Sequence, residues 1–302
     1  MELIDNLKPL SENLFWVQAP GKGKFPLCNG FLITGNETIL VDAGMGSDVI
    51  KEIDKWRRID CLLVSHSHPD HILFWHLLND RKILMPRETP DSITDLMDLG
   101  IRLTGTPEKA IHWKKRTGDE LGLHAMRLPD GRFQNGDIID AEEIRLEAIH
   151  APGHLNDHYC FLVHDSGIML TTDIDFGSFG PWYGNPESDL DLFKNSIRMI
   201  QERSLSMVCS SHKSPIAKAE VQNAFDRYLS IFDRHKKLVF DLCIKVLSLE
   251  EMVCSSPFYR NRMQNKAVQN IFEEAMIQKN LDLLIKEGAI RKEGDKYIQS
   301  GY

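Results

Sequence analysis

Three histidines and one aspartate lie within a six-residue segment, His66-Ser67-His68-Pro69-Asp70-His71. The apolar run 61–64 precedes it, so the segment is predicted to be a loop at the end of a buried strand. In an extended segment alternate side chains share a face, which places the imidazoles of His66 and His68 together. Neutral imidazole and carboxylate are ligands of zinc, iron and manganese. This clustering predicts a site for two metal ions rather than a chance polar turn.

Three later strand predictions each lead to another residue of ligand type. The strand 144–149 leads through Pro152-Gly153 to His154, the strand 168–172 ends at Asp173, and the strand 207–210 is followed by His212. Ligands delivered by several strand ends suit a metal site on an α/β scaffold, because rigid elements fix the geometry. Asp42, at the end of strand 38–42, either shapes a turn or accepts a hydrogen bond from a metal-ligating histidine.

Composition indicates an ordinary globular protein with one large domain, or a domain with an appendage. The 302 residues are 42% apolar and 26% charged, and no apolar run is long enough to span a bilayer. The acidic start lacks the features of a signal peptide and the six cysteines are scattered, so a cytoplasmic location is expected. A net charge of −8 disfavours nucleic acid and anionic lipid as partners, although a local basic patch stays open.

Two segments are predicted to flank the site. The polar helical stretch 91–128 is either a solvated insertion or a lid, and the glycine- and lysine-containing loop 19–24 is a hairpin connection that overhangs the site. The aromatic loop 176–183 contains glycine and proline and cannot form a regular helix or strand. Within it, Trp182 and Tyr183 are candidates for a substrate wall, and the Tyr183 hydroxyl for a hydrogen bond to a developing oxyanion, with core packing as the alternative.

The C-terminal part is predicted to be mostly helical and to end in a hairpin. Helices are expected over 248–253, 268–276 and 280–287, and the turn Glu293-Gly294-Asp295 separates two short strands. Helices followed by a hairpin look like a winged-helix appendage. The last helix carries mixed charges rather than a basic stripe, which favours packing or homodimerisation over reading nucleic acid.

The order His66-x-His68-x-Asp70-His71, then His154, Asp173 and His212, resembles the metallo-β-lactamase superfamily over roughly residues 14–215. The resemblance implies an α/β fold, a four-layer αββα sandwich with the site at one edge between two sheets. Residues 1–215 would be the catalytic domain, and residues 216–302 a helical, winged-helix-like subdomain.

The same resemblance implies the metal ligands. His66, His68 and His154 would hold the first metal, Asp70, His71 and His212 the second, and Asp173 would bridge them. The cofactors would be two divalent ions, zinc in the first place and iron or manganese as alternatives. The flavodiiron branch of the superfamily typically has glutamate at the position of His68, which disfavours that branch.

The function that this implies is a binuclear hydrolase in which a metal-bridging hydroxide attacks a small carbonyl substrate: a thioester, lactone or ester. Asp70, besides ligating, would orient the nucleophile or take up its proton. The string His154-Leu155-Asn156-Asp157-His158 looks like the H-x-x-D-H segment of glyoxalase II-like and ribonuclease-like members. His158 would polarise the substrate oxygen, support a ligand or cap the strand.

Three other functions stay open. The first is a metal-dependent endoribonuclease or nuclease, which the tail favours and the acidic charge opposes. The second is a mononuclear iron persulfide dioxygenase, and the third is a metal-containing binding protein with little turnover. The partner expected of the leading function is a small-molecule acyl substrate, with no membrane.

Overall fold

Two stacked β-sheets form the centre of the computed structural model, which describes residues 4–263 and 265–300. The first sheet has seven strands, adjacent in chain order: β1 (Leu7–Ser11), β2 (Leu14–Val17), β3 (Gly30–Thr34), β4 (Thr38–Val41), β5 (Cys61–Leu63), β6 (Lys82–Pro86) and β7 (Gly131–Phe133). The second has six, again adjacent in chain order: β8 (Ile138–Asp140), β9 (Arg145–His150), β10 (Tyr159–Val163), β11 (Ile168–Thr172), β12 (Met207–Ser210) and β13 (Ile216–Ala217).

Helices cover both outer faces of this pair of sheets. The α-helices are α1 (Ser47–Trp56), α2 (Pro69–Ile72), α3 (Leu96–Thr104), α4 (Pro107–Lys114), α5 (Leu190–Gln201), α6 (Lys218–Leu242), α7 (Leu249–Ser255) and α8 (Lys266–Lys286). Short 3-10 turns cover Pro20–Lys22, Trp75–Leu78, Asp91–Thr94 and Cys243–Lys245, and a π-helical turn covers Lys115–Glu120. A small third sheet contains β14 (Leu247–Ser248), β15 (Ile290–Glu293) and β16 (Lys296–Gln299).

Three apolar cores separate four layers. Phe31 and Phe161 belong to the core between the two sheets. Ile53 of α1 and Leu99 of α3 pack in the core of the first sheet's outer face. Phe193 of α5 belongs to the core on the outer face of the second sheet. Because the inner strands are covered on both sides, they are continuous apolar runs rather than alternating ones. The predicted αββα architecture is confirmed.

Parallel strand pairs direct the ligand-bearing loops to one edge of the sandwich. Strands β4, β5 and β6 are parallel neighbours in the first sheet, and β11 and β12 are parallel in the second. The carboxyl ends of parallel strands meet at one edge of a sheet. The loops after β4, β5, β11 and β12 carry Asp42, the 66–71 segment, Asp173 and His212.

The structure differs from the sequence predictions in several elements. The two helices expected over 268–276 and 280–287 are one continuous α8, because the intervening Ile277-Gln278-Lys279 contains no helix-breaking residue. Asp70 lies in the short α2, where Pro69 occupies the first turn, rather than in the predicted loop. The likeness of the tail to a winged helix stays a prediction. Within the described residues, no helix combines the length and the apolar character needed to cross a membrane.

Candidate metal centre

The structure brings all seven predicted metal ligands together in two groups. In each group the ligating atoms lie within 4.8 Å of one another. The first group contains His66, His68, His154 and Asp173, and the second contains Asp70, His71 and His212. Within the first group, Nδ1 of His68 lies 3.1 Å from Nε2 of His66 and 2.8 Å from Nε2 of His154. Three imidazole nitrogens therefore converge on one point.

Asp173 lies between the two groups and turns one carboxylate oxygen towards each. Its Oδ2 is 3.2 Å from Nε2 of His154 and 3.7 Å from Nε2 of His66. Its Oδ1 is 2.9 Å from Nε2 of His71 and 3.3 Å from Nε2 of His212. A carboxylate in this position is arranged to bridge two cations.

The outer ring nitrogen of each of the five histidines has a polar neighbour. These contacts are His66 Nδ1 with Ser65 Oγ (3.0 Å), His68 Nε2 with the Asn185 amide (2.6 Å), His71 Nδ1 with Asp42 Oδ2 (2.7 Å), His154 Nδ1 with the Trp182 carbonyl (2.8 Å) and His212 Nδ1 with the Gly23 carbonyl (2.6 Å). Such partners fix the tautomer and the ring orientation of metal-ligating histidines. The amide oxygen of Asn185 must face His68, because Nε2 carries the proton when Nδ1 ligates.

Asp42 accepts the hydrogen bond that its position after β4 suggested. Besides His71, it accepts from the Ser65 backbone N–H and hydroxyl, each at 2.8 Å, so one carboxylate fixes both the start of the metal loop and a ligand. Gly44 follows on the same turn, where a Cβ would lie 1.6 Å from the Asp70 carbonyl oxygen. Only glycine leaves room for the backbone of α2 to approach so closely.

Two buried polar atoms test whether the residues fit metal ions. Nε2 of His71 and Oδ1 of Asp173 are both buried and, although they lie 2.9 Å apart, neither makes a hydrogen bond of acceptable geometry among the described residues. Buried polar atoms are normally paired, and a missing partner at such a place points to an ion or another bound group. Together with the imidazole and carboxylate donor set, these atoms fit divalent metal ions.

The electrostatics of the centre also favour a cation. Burial would raise the pKa of Asp173, but the neighbouring His71 and His212 hold it well below its usual range. Burial alone would lower the pKa of His212, whereas the charge of Asp173 raises it to about 9. Burial lowers the pKa of His66 and His68, so both are neutral, as metal ligands must be.

A family profile described as the metallo-beta-lactamase superfamily matches residues 23–212, which is more than half of the chain and includes all seven of these ligands. The chain belongs to the metallo-beta-lactamase superfamily.

Solved structures of this superfamily show the same fold. A metallo-beta-lactamase family protein of Thermus thermophilus superposes with a TM-score of 0.73 at 18% identity, covering 97% of this chain and 100% of that one. A beta-lactamase domain protein of Burkholderia ambifaria superposes with a TM-score of 0.72 at 19% identity, covering 99% and 95%. The fold likeness thus includes the C-terminal part.

Curated relatives are longer proteins, of which this chain matches only a part. An atrochrysone carboxyl ACP thioesterase of Paecilomyces divaricatus is 24% identical over 223 residues, which are 70% of this chain and 59% of that protein. A lactamase-like protein of Pestalotiopsis fici is 25% identical over 179 residues, which are 56% and 47% of the two chains. The chain spans about half the length of the curated relatives that it matches.

His158 is fully buried, and its ring lies 5.2 Å from that of His66 and 5.3 Å from that of His154. Its Nδ1 donates to the Ala151 carbonyl at 2.8 Å, and its Nε2 accepts from the Thr172 hydroxyl at 2.8 Å and faces the backbone N–H of Asp173 at 3.3 Å. Burial, helped by the nearby His154, lowers the pKa of His158 to about 3. Of the roles predicted for it, support of a ligand fits this position, because both ring nitrogens are already engaged.

Tyr183 is not brought to the metal ligands. Its fully buried hydroxyl donates to Nδ1 of His235 at 2.9 Å and accepts from the Asn280 amide at 3.0 Å, which places it among α6 and α8. The predicted oxyanion contact is replaced by packing, because the two neighbouring helices enclose the ring. Trp182 differs, since its partly buried ring lies 5.5 Å from that of His68.

Sequence reasoning did not identify Arg102, which joins the insertion to the metal loop. From α3 it donates to Ser67, to Oδ1 of Asp157 at 2.9 Å and to Glu187 at 2.6 Å. The carboxylate of Asp157 is fully buried, and its second oxygen accepts from the Thr89 hydroxyl at 2.8 Å. The helical stretch 91–128 is therefore neither fully solvated nor a detached lid, because Arg102 bonds it to the metal loop. One sequence signal was present, the aspartate directly before His158, but its partner is 55 residues away.

Proposed function

We propose that this protein is a binuclear metal-dependent hydrolase that cleaves thioesters, within the broader class of thioester, lactone and ester substrates. The observation that carries the proposal is the position of Asp173, whose two carboxylate oxygens face separate groups of histidines. A single ion would leave one of those oxygens and its histidines without a partner.

Two divalent ions are the proposed occupants, zinc in the first place, since imidazole and carboxylate are ligands of zinc. The first would be held by His66, His68 and His154, and the second by Asp70, His71 and His212, with Asp173 shared. When bound, such a pair lowers the pKa of a water molecule and polarises a substrate carbonyl. The same donors also suit iron and manganese, so elemental analysis identifies the ion.

The surrounding residues have separate tasks. Asp70, whose side chain is 8% exposed, is the group proposed to take up the proton of the attacking water. Asp42 and Asn185 hold His71 and His68 in orientation by their hydrogen bonds. Trp182 presents an aromatic face beside His68, where it would exclude water from an acyl chain. His158 supports the backbone of Asp173 and exchanges no proton.

The thioester preference draws on the relatives. The Paecilomyces divaricatus protein and another from Aspergillus terreus, 23% identical over 224 residues, are both named atrochrysone carboxyl ACP thioesterases. This chain covers only 59% and 58% of their lengths, so the match supports the bond type rather than their particular acyl group.

The test combines metal analysis with a substrate panel. Elemental analysis of the purified protein should find two ions per chain. The zinc-loaded protein should hydrolyse a neutral acyl thioester faster than the corresponding lactone or ester, and should not cleave labelled RNA. A single iron per chain with sulfite formation from glutathione persulfide would contradict the proposal, as would two ions with no hydrolysis of any acyl substrate.

A further inference from the structure

Side-chain exposure shows which side of the metal centre faces solvent. The ligands that are at most 2% exposed are His66, His71 and His154. The ligands that are 8–18% exposed are His68, Asp70, Asp173 and His212. A substrate therefore reaches the centre over the second set, between His212 on one side and His68 on the other.

The loop 20–25 forms the wall beside His212. The Gly23 carbonyl accepts from Nδ1 of His212, and the Asn29 amide fixes the adjoining chain by donating to the Ser211 carbonyl at 2.9 Å. Gly23 has a φ of +67°, and a Cβ there would lie 2.5 Å from the Asn29 amide. These contacts hold the loop against the metal centre, with Lys22 and Lys24 on either side of the glycine.

The opposite wall joins the aromatic loop to the C-terminal part. The Trp182 ring contacts His68, and its Nε1 donates to the Tyr259 hydroxyl at 3.1 Å. The exposed residues Arg260 and Arg262 lie one and three positions after Tyr259 in the chain. Tyr259 of the C-terminal part therefore lies beside the tryptophan that flanks His68, and Arg260 adjoins it in the chain.

Both walls carry unpaired positive charge, in a chain whose net charge is −8. We call the following exposed residues the basic rim: Lys22, Lys24, Lys213, Arg260 and Arg262. The segments 19–25, 212–218 and 255–263 contain no aspartate or glutamate. Among the described residues, no carboxylate lies within ion-pair distance of any of the five. The rim is thus a local reversal of the protein's overall charge.

We infer that the basic rim binds the phosphate groups of a thioester carrier of the phosphopantetheine type, with the acyl end directed to the metal centre. This inference rests on the proposed thioester hydrolysis. Lysine and arginine are the side chains that bind phosphate, and coenzyme A is a common carrier of acyl groups. A polyanion such as RNA is disfavoured by the acidic surface beyond the rim.

The first experiment compares two thioesters with the same acyl group. Coenzyme A supplies the phosphates, and N-acetylcysteamine supplies a neutral thiol. We expect a higher kcat/KM for the coenzyme A thioester, with an advantage that shrinks as salt rises because exposed charge pairs are screened. The double variants Lys22→Gln with Lys24→Gln, and Arg260→Gln with Arg262→Gln, should each lower that kcat/KM by about three- to tenfold. The neutral thioester should be hydrolysed at an unchanged rate.

A matched control uses lysines of the same type elsewhere. Lys51 and Lys55 are exposed on α1, so the variant Lys51→Gln with Lys55→Gln removes the same charge without altering the rim. It should leave the ratio of the two kcat/KM values unchanged. An equal drop in the control would show that total charge, not the rim, sets the preference, and would overturn the inference.

A binding measurement separates failure of the inference from failure of the proposed function. Titration calorimetry with S-methyl coenzyme A and S-methyl pantetheine needs no turnover, and only the first compound should bind well and lose affinity in the rim variants. The phosphate could also come from a carrier protein that bears an acyl-phosphopantetheine group, and this protein is tested in the same way. Tighter binding of either phosphate-bearing carrier than of S-methyl pantetheine supports the inference. Equal binding of the two small compounds, or tighter binding of single-stranded RNA, would overturn it. No hydrolysis of either thioester would instead count against the proposed function.

Discussion

The two halves of the metal centre are held by different parts of the molecule. On the His71 and His212 side, the orienting groups are Asp42 and the Gly23 carbonyl, which come from loops of the first sheet. On the His68 and His154 side, they are the Asn185 amide and the Trp182 carbonyl, which both come from the loop between β11 and α5.

The loop on the second of these sides is itself anchored by the C-terminal part. Tyr183 lies between Trp182 and Asn185 in sequence, and its hydroxyl is bonded to His235 of α6 and Asn280 of α8. One half of the centre therefore depends on strand ends within the sandwich. The other depends on a loop whose position is set by tertiary packing, and variants of the two halves should behave differently.

Asp173 is common to both halves, so Asp173→Ala should give the largest effect. Loss of the bridging carboxylate should lower the affinity for both ions by more than the 10–100-fold typical of an orienting partner, and activity should fall with it. Chelator competition measures the affinities. Asp165→Ala, on an exposed turn, is the control, and retention of either ion by Asp173→Ala would argue against the bridge.

Asp42→Ala should weaken chiefly the half that contains His71, because its contact with His66 of the other half is indirect, through the Ser65 hydroxyl. A charged acceptor with two further hydrogen bonds to Ser65 is lost, so we expect a 10–100-fold drop in affinity for one ion. Cobalt substitution followed by visible absorption distinguishes the two sites. Equal weakening of both ions would show that the halves are not independent.

Asn185→Ala should weaken only the half that contains His68, by about tenfold, because a neutral amide orients less strongly than a carboxylate. Asn195→Ala, exposed on α5, serves as the matched control. In the cobalt-substituted protein, Asn185→Ala should change the absorption band of one site and Asp42→Ala the band of the other. Identical spectral changes in the two variants would show that the two halves of the centre are not held separately.

Tyr183→Phe tests the link to the C-terminal part. Removing the hydroxyl takes the buried donor away from Nδ1 of His235 and leaves the Asn280 amide with only its bond to the Met276 carbonyl, which should cost about 1–3 kcal/mol of unfolding free energy. Denaturant unfolding measures the loss. Turnover of the metal-loaded protein should stay near the wild-type value, and a large fall in kcat without loss of stability would return Tyr183 to a catalytic role.

The smallest effect concerns pH. Burial, with Arg234 nearby, lowers the pKa of His235 to about 4, so between pH 4 and 6.5 the unfolded chain binds more protons than the folded one. His235 therefore makes stability fall as pH falls, by about 0.7 kcal/mol between pH 7 and pH 6. His235→Gln should flatten this part of the unfolding curve measured against pH. A slope identical to that of the wild type would contradict the assignment.

Residue order and spacing were sufficient for the metal centre and the fold family. The segment 66–71 carries four ligand-type residues after a strand, and each later ligand directly follows a strand or its turn. Such local rules hold because the side-chain direction at a strand end is fixed by the strand itself. For the same reason, the sequence offered a hydrogen bond to a ligating histidine as one of the two predicted roles of Asp42.

Only the tertiary structure decided the roles of the groups around the ligands. Arg102 and Asp157 are 55 residues apart, and Tyr183 and Asn280 are 97 apart, so nothing in local spacing connects them. Tyr183 looked like a substrate group because it sits in an aromatic loop, yet packing against α6 and α8 turned its hydroxyl inward. The sequence by itself predicted the ligand residues, because ligation needs residue type and strand position. Which groups orient them, and where the basic rim meets the opening, depended on long-range packing, because contacts between distant segments exist only once the layers are assembled.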